Sequence, residues 1–211
     1  EKMINLLRFD ISDNLINWLS FCNGTNRLFR NHPSMKEVFL SNTSLNELRC
    51  LNLGSLKSLD IIDLSQNLIE SIKIDDIIVC NRLILTNNRI KYIQPGWFDY
   101  IRDLRELSLN GNQFADNYQI SEINLKFFLS LFGLDLSNSN IREIPLFDWD
   151  QTEQIYENST FSSLIDGYRL NTLRLAHNRI ESIGSDHFSK LNNLISLDLA
   201  YNHISIVRSR D

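Results

Sequence analysis

A hydroxyl, a carboxylate and an imidazole stand together at Ser185-Asp186-His187. These are the three groups of a nucleophilic relay. Neighbours in sequence cannot build one, because each group must orient the next across space. The other histidines, His32, His177 and His203, share no spacing that suits a metal ion. The three cysteines, Cys22, Cys50 and Cys80, lack zinc-ligand spacing and are too few for a disulfide scaffold. No HExxH, GxGxxG, phosphate-loop or CxxC motif occurs. The chain is therefore expected to carry no catalytic residue, cofactor or metal, and to work by non-covalent recognition.

Bulk properties narrow the partners. With 21 basic and 26 acidic residues in 211, the formal charge is -5. That balance disfavours nucleic acid and anionic membrane. A hydrophobic share of 43% is that of a globular chain with a sizeable core. No apolar run approaches the roughly 18 residues of a membrane span, so no membrane contact by this segment is expected. The chain opens Glu1-Lys2-Met3 and shows no signal peptide, as a processed or excised chain also would.

The strongest pattern is self-similarity. Leu170, Leu173, Leu175, Asn178, Ile180 and Ile183 spell LxxLxLxxNxIxxI, with Phe188 and Leu191 further on. The pattern restarts at Leu194, Leu197, Leu199, Asn202, Ile204 and Val207. Working backward, copies start at 131, 104, 80, 59, 35 and, more weakly, 6, which makes eight. Each LxxLxL is read as a short strand with alternate residues facing one way. One unit cannot bury its apolar face alone, so the units must stack. The Asn after each strand is expected to turn the chain while its amide bonds backbone groups of the next coil. Asn14, Asn67, Asn88, Asn112, Asn178 and Asn202 fill that place; Thr43 and Ser139 depart from it and should weaken the ladder.

The recurring spacing resembles the leucine-rich-repeat superfamily over nearly the whole chain. The 24-residue unit, with Phe98 and Phe188 in the Phe place, is similar to the subclass of Toll-like receptor ectodomains and secreted insect immune proteins. The spacing itself predicts an α/β-type repeat solenoid, a curved leucine-rich-repeat horseshoe segment. Its concave parallel sheet should have about eight short strands, in one domain spanning 1–211. The middle strand residues are predicted to be Asp10, Phe39, Asp63, Ile84, Ser108, Asp135, Arg174 and Asp198. The resemblance implies an extracellular, ligand-binding role: a secreted or cell-surface module of innate-immune type. An adhesion module and an enzyme-inhibiting regulator are the alternatives. Polar or cysteine-rich caps are missing at both ends, which suggests part of a longer ectodomain or a small protein capped by a partner.

The candidate site follows from the repeat. Residues between the inward leucines face the concave surface and are free to specialise. Arg8, Lys36, Arg82, Arg105 and Arg174 are basic there, against Asp10, Asp13, Glu37, Asp60, Asp63, Glu106, Asp135 and Asp198. Among these charges Phe39, Ile61 and Ile84 should form one apolar cluster, flanked by Asp63 and Arg82, for a protein or microbial ligand. Phe132, Ile195 and Tyr201 are further exposed candidates. A 39-residue unit carries an acidic insertion at about 145–169, with Trp149 and Tyr156 as anchors; it reads as a partner-binding or assembly loop, or as a tolerated insertion. Homo- or hetero-oligomers are compatible with either surface.

Sequons stand at Asn23, Asn42 and Asn158. With 25 Asn and 29 Ser or Thr in the chain, chance alone gives about three, so they add little. Cys22 and Cys50 fall 16 and 15 residues into adjacent repeats. Stacking would bring them side by side, either as a disulfide or as two free thiols. Cys80 replaces a core Leu and should be buried.

Overall fold

The computed structural model describes residues 5–22, 29, 32–51, 53, 56, 59–73, 78–94, 96–97, 101, 103–115, 130–144, 169–189 and 191–208. The strands in chain order are β1 (Arg8–Asp10), β2 (Glu37–Phe39), β3 (Leu59–Asp63), β4 (Ser71–Ile72), β5 (Cys80–Ile84), β6 (Tyr92–Ile93), β7 (Glu106–Ser108), β8 (Gly133–Asp135), β9 (Thr172–Arg174), β10 (Ser182–Gly184), β11 (Ser196–Asp198) and β12 (Ile206–Arg208). Eight form one parallel sheet in the order β1-β2-β3-β5-β7-β8-β9-β11. Each repeat thus supplies one strand, laid beside the strand of the repeat before it. The residues expected in mid-strand, Asp10, Phe39, Asp63, Ile84, Ser108, Asp135, Arg174 and Asp198, stand in one continuous register, but each closes its strand instead of centring it, because the chain reverses right after it.

The period-two alternation explains the core. Leu40, Leu64, Leu85, Leu109, Leu136 and Leu175 are all at 0% exposure. Each contributes roughly 1.5–3 kcal/mol by leaving water. On the return side, β4 pairs with β6 and β10 with β12, also parallel. Cover thins in the last coil, where Leu197 is 39% and Val207 75% exposed.

Chain reversal after each strand has a fixed form. Asp13, Asn42, Gln66, Asn87, Gly111, Asn138, His177 and Tyr201 all have φ between 51° and 72°. This left-handed step turns the chain inward, so that the next residue is buried in the six inner coils, at Thr43, Asn67, Asn88, Asn112, Ser139 and Asn178. At Gly111 the step is closely covered: a Cβ there would meet the Asn87 side-chain amide, which would have to move.

The Asn ladder runs opposite to the expected direction. Asn67 Nδ2 donates to Leu40 O of the preceding coil and Leu64 O of its own, at 2.8 and 3.0 Å. Its Oδ1 accepts from the Thr43 and Leu45 amides, again in the preceding coil. Asn88, Asn112, Asn178 and Asn202 reach back in the same way, to Leu64 O, Leu85 O, Leu136 O and Leu175 O. The cause is the left-handed residue before each Asn, which tucks its side chain under the turn already made. Asn14, in the first coil, bonds only within its own coil, to Ile11 O and Ser12 O.

The two departures from Asn are accommodated. Thr43 Oγ1 donates to Leu40 O and Ser139 Oγ to Leu109 O, both residues at 0% exposure. A second left-handed residue follows each, Ser44 at φ 62° and Asn140 at φ 62°. Asn140 Nδ2 then donates to Phe114 O at 2.9 Å. The shorter side chain is offset by an extra backbone adjustment and, at 139–140, by a neighbouring amide.

The first two coils are tied together twice. The buried Trp18 donates its indole N–H to Thr43 O at 2.8 Å. A disulfide joins Cys22, ending the helical turn Leu19–Cys22, to Cys50, ending the turn Leu48–Cys50.

Candidate ligand-binding face

The sheet register resolves the outward side chains into two rows. One runs Arg8, Glu37, Ile61, Arg82, Glu106, Gly133, Thr172, Ser196. The other, two residues further along each strand, runs Asp10, Phe39, Asp63, Ile84, Ser108, Asp135, Arg174, Asp198.

Phe39, Ile61 and Ile84 are all half-buried and face outward, but not in a single row. Phe39 and Ile84 flank Asp63, two strand spacings apart, or about 10 Å. Ile61 stands one pleat back, diagonal to both, with Arg82 at its register position on β5. The three make an open triangle with Asp63 at the middle of its Phe39–Ile84 edge.

The surface is electrostatically braced. Arg8 donates to Glu37 at 3.2 Å and to Asp10 at 3.1 Å, and its Cζ lies 4.1 Å from the Phe39 ring centroid. Arg82 pairs with Glu106 at 3.0 Å across β5 and β7. Asn81 donates to Asp60 at 3.1 Å. All of these groups are exposed, so each pair contributes little to stability and mainly fixes orientation.

Four of the acids have a structural task that the sequence reading missed. Asp10, Asp63, Asp135 and Asp198 each accept, through Oδ1, the amide two residues on: Ser12, Ser65, Ser137 and Ala200. These side-chain turns start the reversal after the strand. The signal was in the sequence, as Asp-Ile-Ser, Asp-Leu-Ser, Asp-Leu-Ser and Asp-Leu-Ala. The Ser12 amide, opposed only slightly by burial and assisted by Arg8, holds the Asp10 carboxyl below its usual range. Of the outward positions, Phe39, Ile61, Ile84 and Arg174 carry no such turn, and Arg82 is held by Glu106.

Other candidates fall as follows. Phe132, Ile195 and Tyr201 are exposed at 38%, 86% and 77%. Tyr201 stacks on His177, centroids 4.3 Å apart and planes 8° apart. Asn42 is exposed, and its Nδ2 donates to Asp13 Oδ1 at 3.0 Å. Asn23, Asn158, Phe98, Trp149, Tyr156 and the insertion lie outside the described residues. Cys80 is buried, and burial pushes its thiol up to about 12. Among the described residues no group of His, Cys, Asp or Glu could hold a metal ion, and no helix is long and apolar enough to cross a membrane.

Comparison with known proteins agrees with this architecture. The family model described as leucine rich repeat matches residues 168–211. Toll-like receptor 3 of Boselaphus tragocamelus is 33% identical over 129 residues, 61% of this chain and 13% of the receptor. Fibromodulin of Bos taurus is 32% identical over 127 residues, 56% of this chain and 32% of that protein. The chain thus spans under a third of either relative. Among solved structures, Drosophila Toll in its complex with Spatzle superposes with a TM-score of 0.63 at 21% identity, covering 87% of this chain and 24% of Toll. In fold and in repeat pattern, the chain is a leucine-rich-repeat solenoid.

Proposed function

We propose that this chain is a non-catalytic recognition module of a secreted or cell-surface protein, of innate-immune receptor type, holding a protein or microbial ligand on its concave sheet. The observation that carries the reading is the outward triangle of Phe39, Ile61 and Ile84, with Asp63 on its edge. Large apolar side chains held outward within a charged rim are the composition of an interaction site. The Cys22–Cys50 disulfide supports an oxidising, extracellular setting. The likeness to Toll-like receptor 3 supports a receptor, and Toll, whose solved complex is with Spatzle, supports a protein ligand. Trp149 and Tyr156 of the acidic insertion offer a second contact to the same partner. The likeness to fibromodulin favours, as the second reading, an adhesion or structural module.

The test is capture of partners from the native extracellular fluid with this chain, identified by mass spectrometry. Binding of the captured partner is then measured for a Phe39→Ala, Ile84→Ala variant and for one with 148–160 replaced by a Gly/Ser linker. A partner lost with the first variant supports the concave site. Full binding by both variants refutes both surfaces.

A further inference from the structure

The outward row that runs from Asp10 to Asp198 holds four aspartates, and each takes the amide two residues on. Their surroundings differ. Asp10 is paired with Arg8. Asp135 has Ser108 and Arg174 at its register positions, and Asp198 has Arg174. Of the four, only Asp63 stands between two large apolar side chains, Phe39 on β2 and Ile84 on β5. It is half-buried, and Ile61 lies two residues back on its own strand, on the same face.

The Asp63 carboxylate is held on one side only. Its Oδ1 accepts the Ser65 amide at 2.9 Å. Among the described residues, no basic side chain lies within ion-pair distance of it. The arginines nearby are turned elsewhere: Arg8 to Glu37 and Asp10, and Arg82, diagonal to Asp63, to Glu106. The charge on Asp63 is therefore balanced by solvent. A partner that covers both Phe39 and Ile84 must also cover Asp63, because it lies between them. Taking an unpaired carboxylate out of water is strongly unfavourable. A purely apolar partner surface would lose there what it gained on the two flanks. A cation supplied at that point reverses the sign, since attraction beside apolar walls is screened less than in open water.

We propose that Asp63 selects the partner: the concave triangle takes a basic side chain, Lys or Arg, of a protein or peptide, with its stem between Phe39 and Ile84 and its charged head on Asp63. This rests on the concave-face reading given above and adds to it the chemistry of the contact. Lys and Arg have the required form, an apolar stem ending in a charge. Phe39 and Ile84, about 10 Å apart, flank one such chain on both sides. The chain already makes a contact of this kind within itself, where the Arg8 guanidinium lies on the Phe39 ring and is held by two carboxylates. The same carboxylate turns away acidic and phosphorylated segments, which would add like charge.

The probes are random peptides displayed on phage and selected against the whole chain; one selected peptide is then made with a fluorescent label. Wild type should enrich Lys or Arg flanked by apolar residues. By anisotropy, Asp63→Asn should weaken the labelled peptide about tenfold, as loss of a partly desolvated charge pair does. Asparagine keeps Oδ1 for the Ser65 amide, so the turn stays, and melting curves check the fold. Asp135→Asn removes the same charge from the same kind of turn, three strands away. That separation exceeds the Debye length of about 8 Å at physiological salt, so this variant should bind nearly as wild type. Replacing the basic residue of the peptide by Gln should cost as much as Asp63→Asn, and the two losses should not add. Peptides that need Phe39 and Ile84 but show no basic enrichment, or bind Asp63→Asn as well as wild type, would overturn selection by Asp63 and leave the concave site standing. Additive losses, or equal losses in the two Asp variants, would overturn it as well. If no selected peptide is weakened by Phe39→Ala, Ile84→Ala, the concave site itself falls, and this proposal with it.

Discussion

Arg8 lies over the ring of Phe39 while its two terminal nitrogens hold Glu37 and Asp10. One guanidinium therefore contacts an aromatic side chain on the neighbouring strand and is shared by the two acids beside it. An exposed cation–π contact is worth about 0.5–1 kcal/mol. Arg8→Ala and Phe39→Leu should each cost around that in urea unfolding. The double variant should cost less than their sum. Strict additivity would show the contact to be idle.

Asn88 and Asn112 each bond backbone groups of two coils from a buried position. Asn88→Ala and Asn112→Ala are expected to destabilise by roughly 1–3 kcal/mol each, because the orphaned groups cannot reach water. The free energies come from denaturant titration. A melting temperature unchanged in both would remove the ladder from the stability argument.

The disulfide closes a loop of 28 residues. Chain entropy gives about 3–4 kcal/mol for such a closure. Cys22→Ser, Cys50→Ser should lose stability of that order, with the first two coils opening before the rest. Hydrogen exchange resolved by peptide would show faster exchange near Trp18 and Leu48 than near Leu136. Uniform loosening would contradict a local clamp.

Burial raises the Cys80 thiol to about 12, so at pH 8 it stays protonated in the folded chain. Iodoacetamide should leave it unlabelled under native conditions and label it fully in guanidinium. Rapid native labelling, read by mass spectrometry, would contradict the packing around β5.

In the folded chain the Asp10 carboxyl titrates below the ordinary aspartate value of 3.8. Its contribution is therefore present above pH 3.8 and is lost as pH falls through the lower, folded value. Asp10→Asn should flatten stability against pH in that acid range and leave neutral stability little changed. An identical acid profile in the variant would assign the loss to other carboxylates.

The strand rows were legible because side-chain period two is imposed by the backbone, and the leucines mark it in every copy. Phe39 and Ile84 could be placed for that reason, and Asp10 could be matched to Phe39 from spacing alone. The stagger of Ile61 was not legible from counting repeats; it needed the pairing of Ile61 with Arg82. Nor did spacing tell which way an Asn side chain reaches, since that follows from the left-handed residue before it.

The backward reach of Asn67, Asn88, Asn112, Asn178 and Asn202 also gives the molecule a direction in time. Each turn receives its last hydrogen bonds from residues synthesised one repeat later. A nascent coil is therefore unfinished when it leaves the ribosome and is completed by its successor. At about 5–20 residues per second, that delay is on the order of one to five seconds per coil. Folding would advance vectorially, always one repeat behind synthesis, and a pause in translation would expose a single incomplete turn, not an unfolded domain.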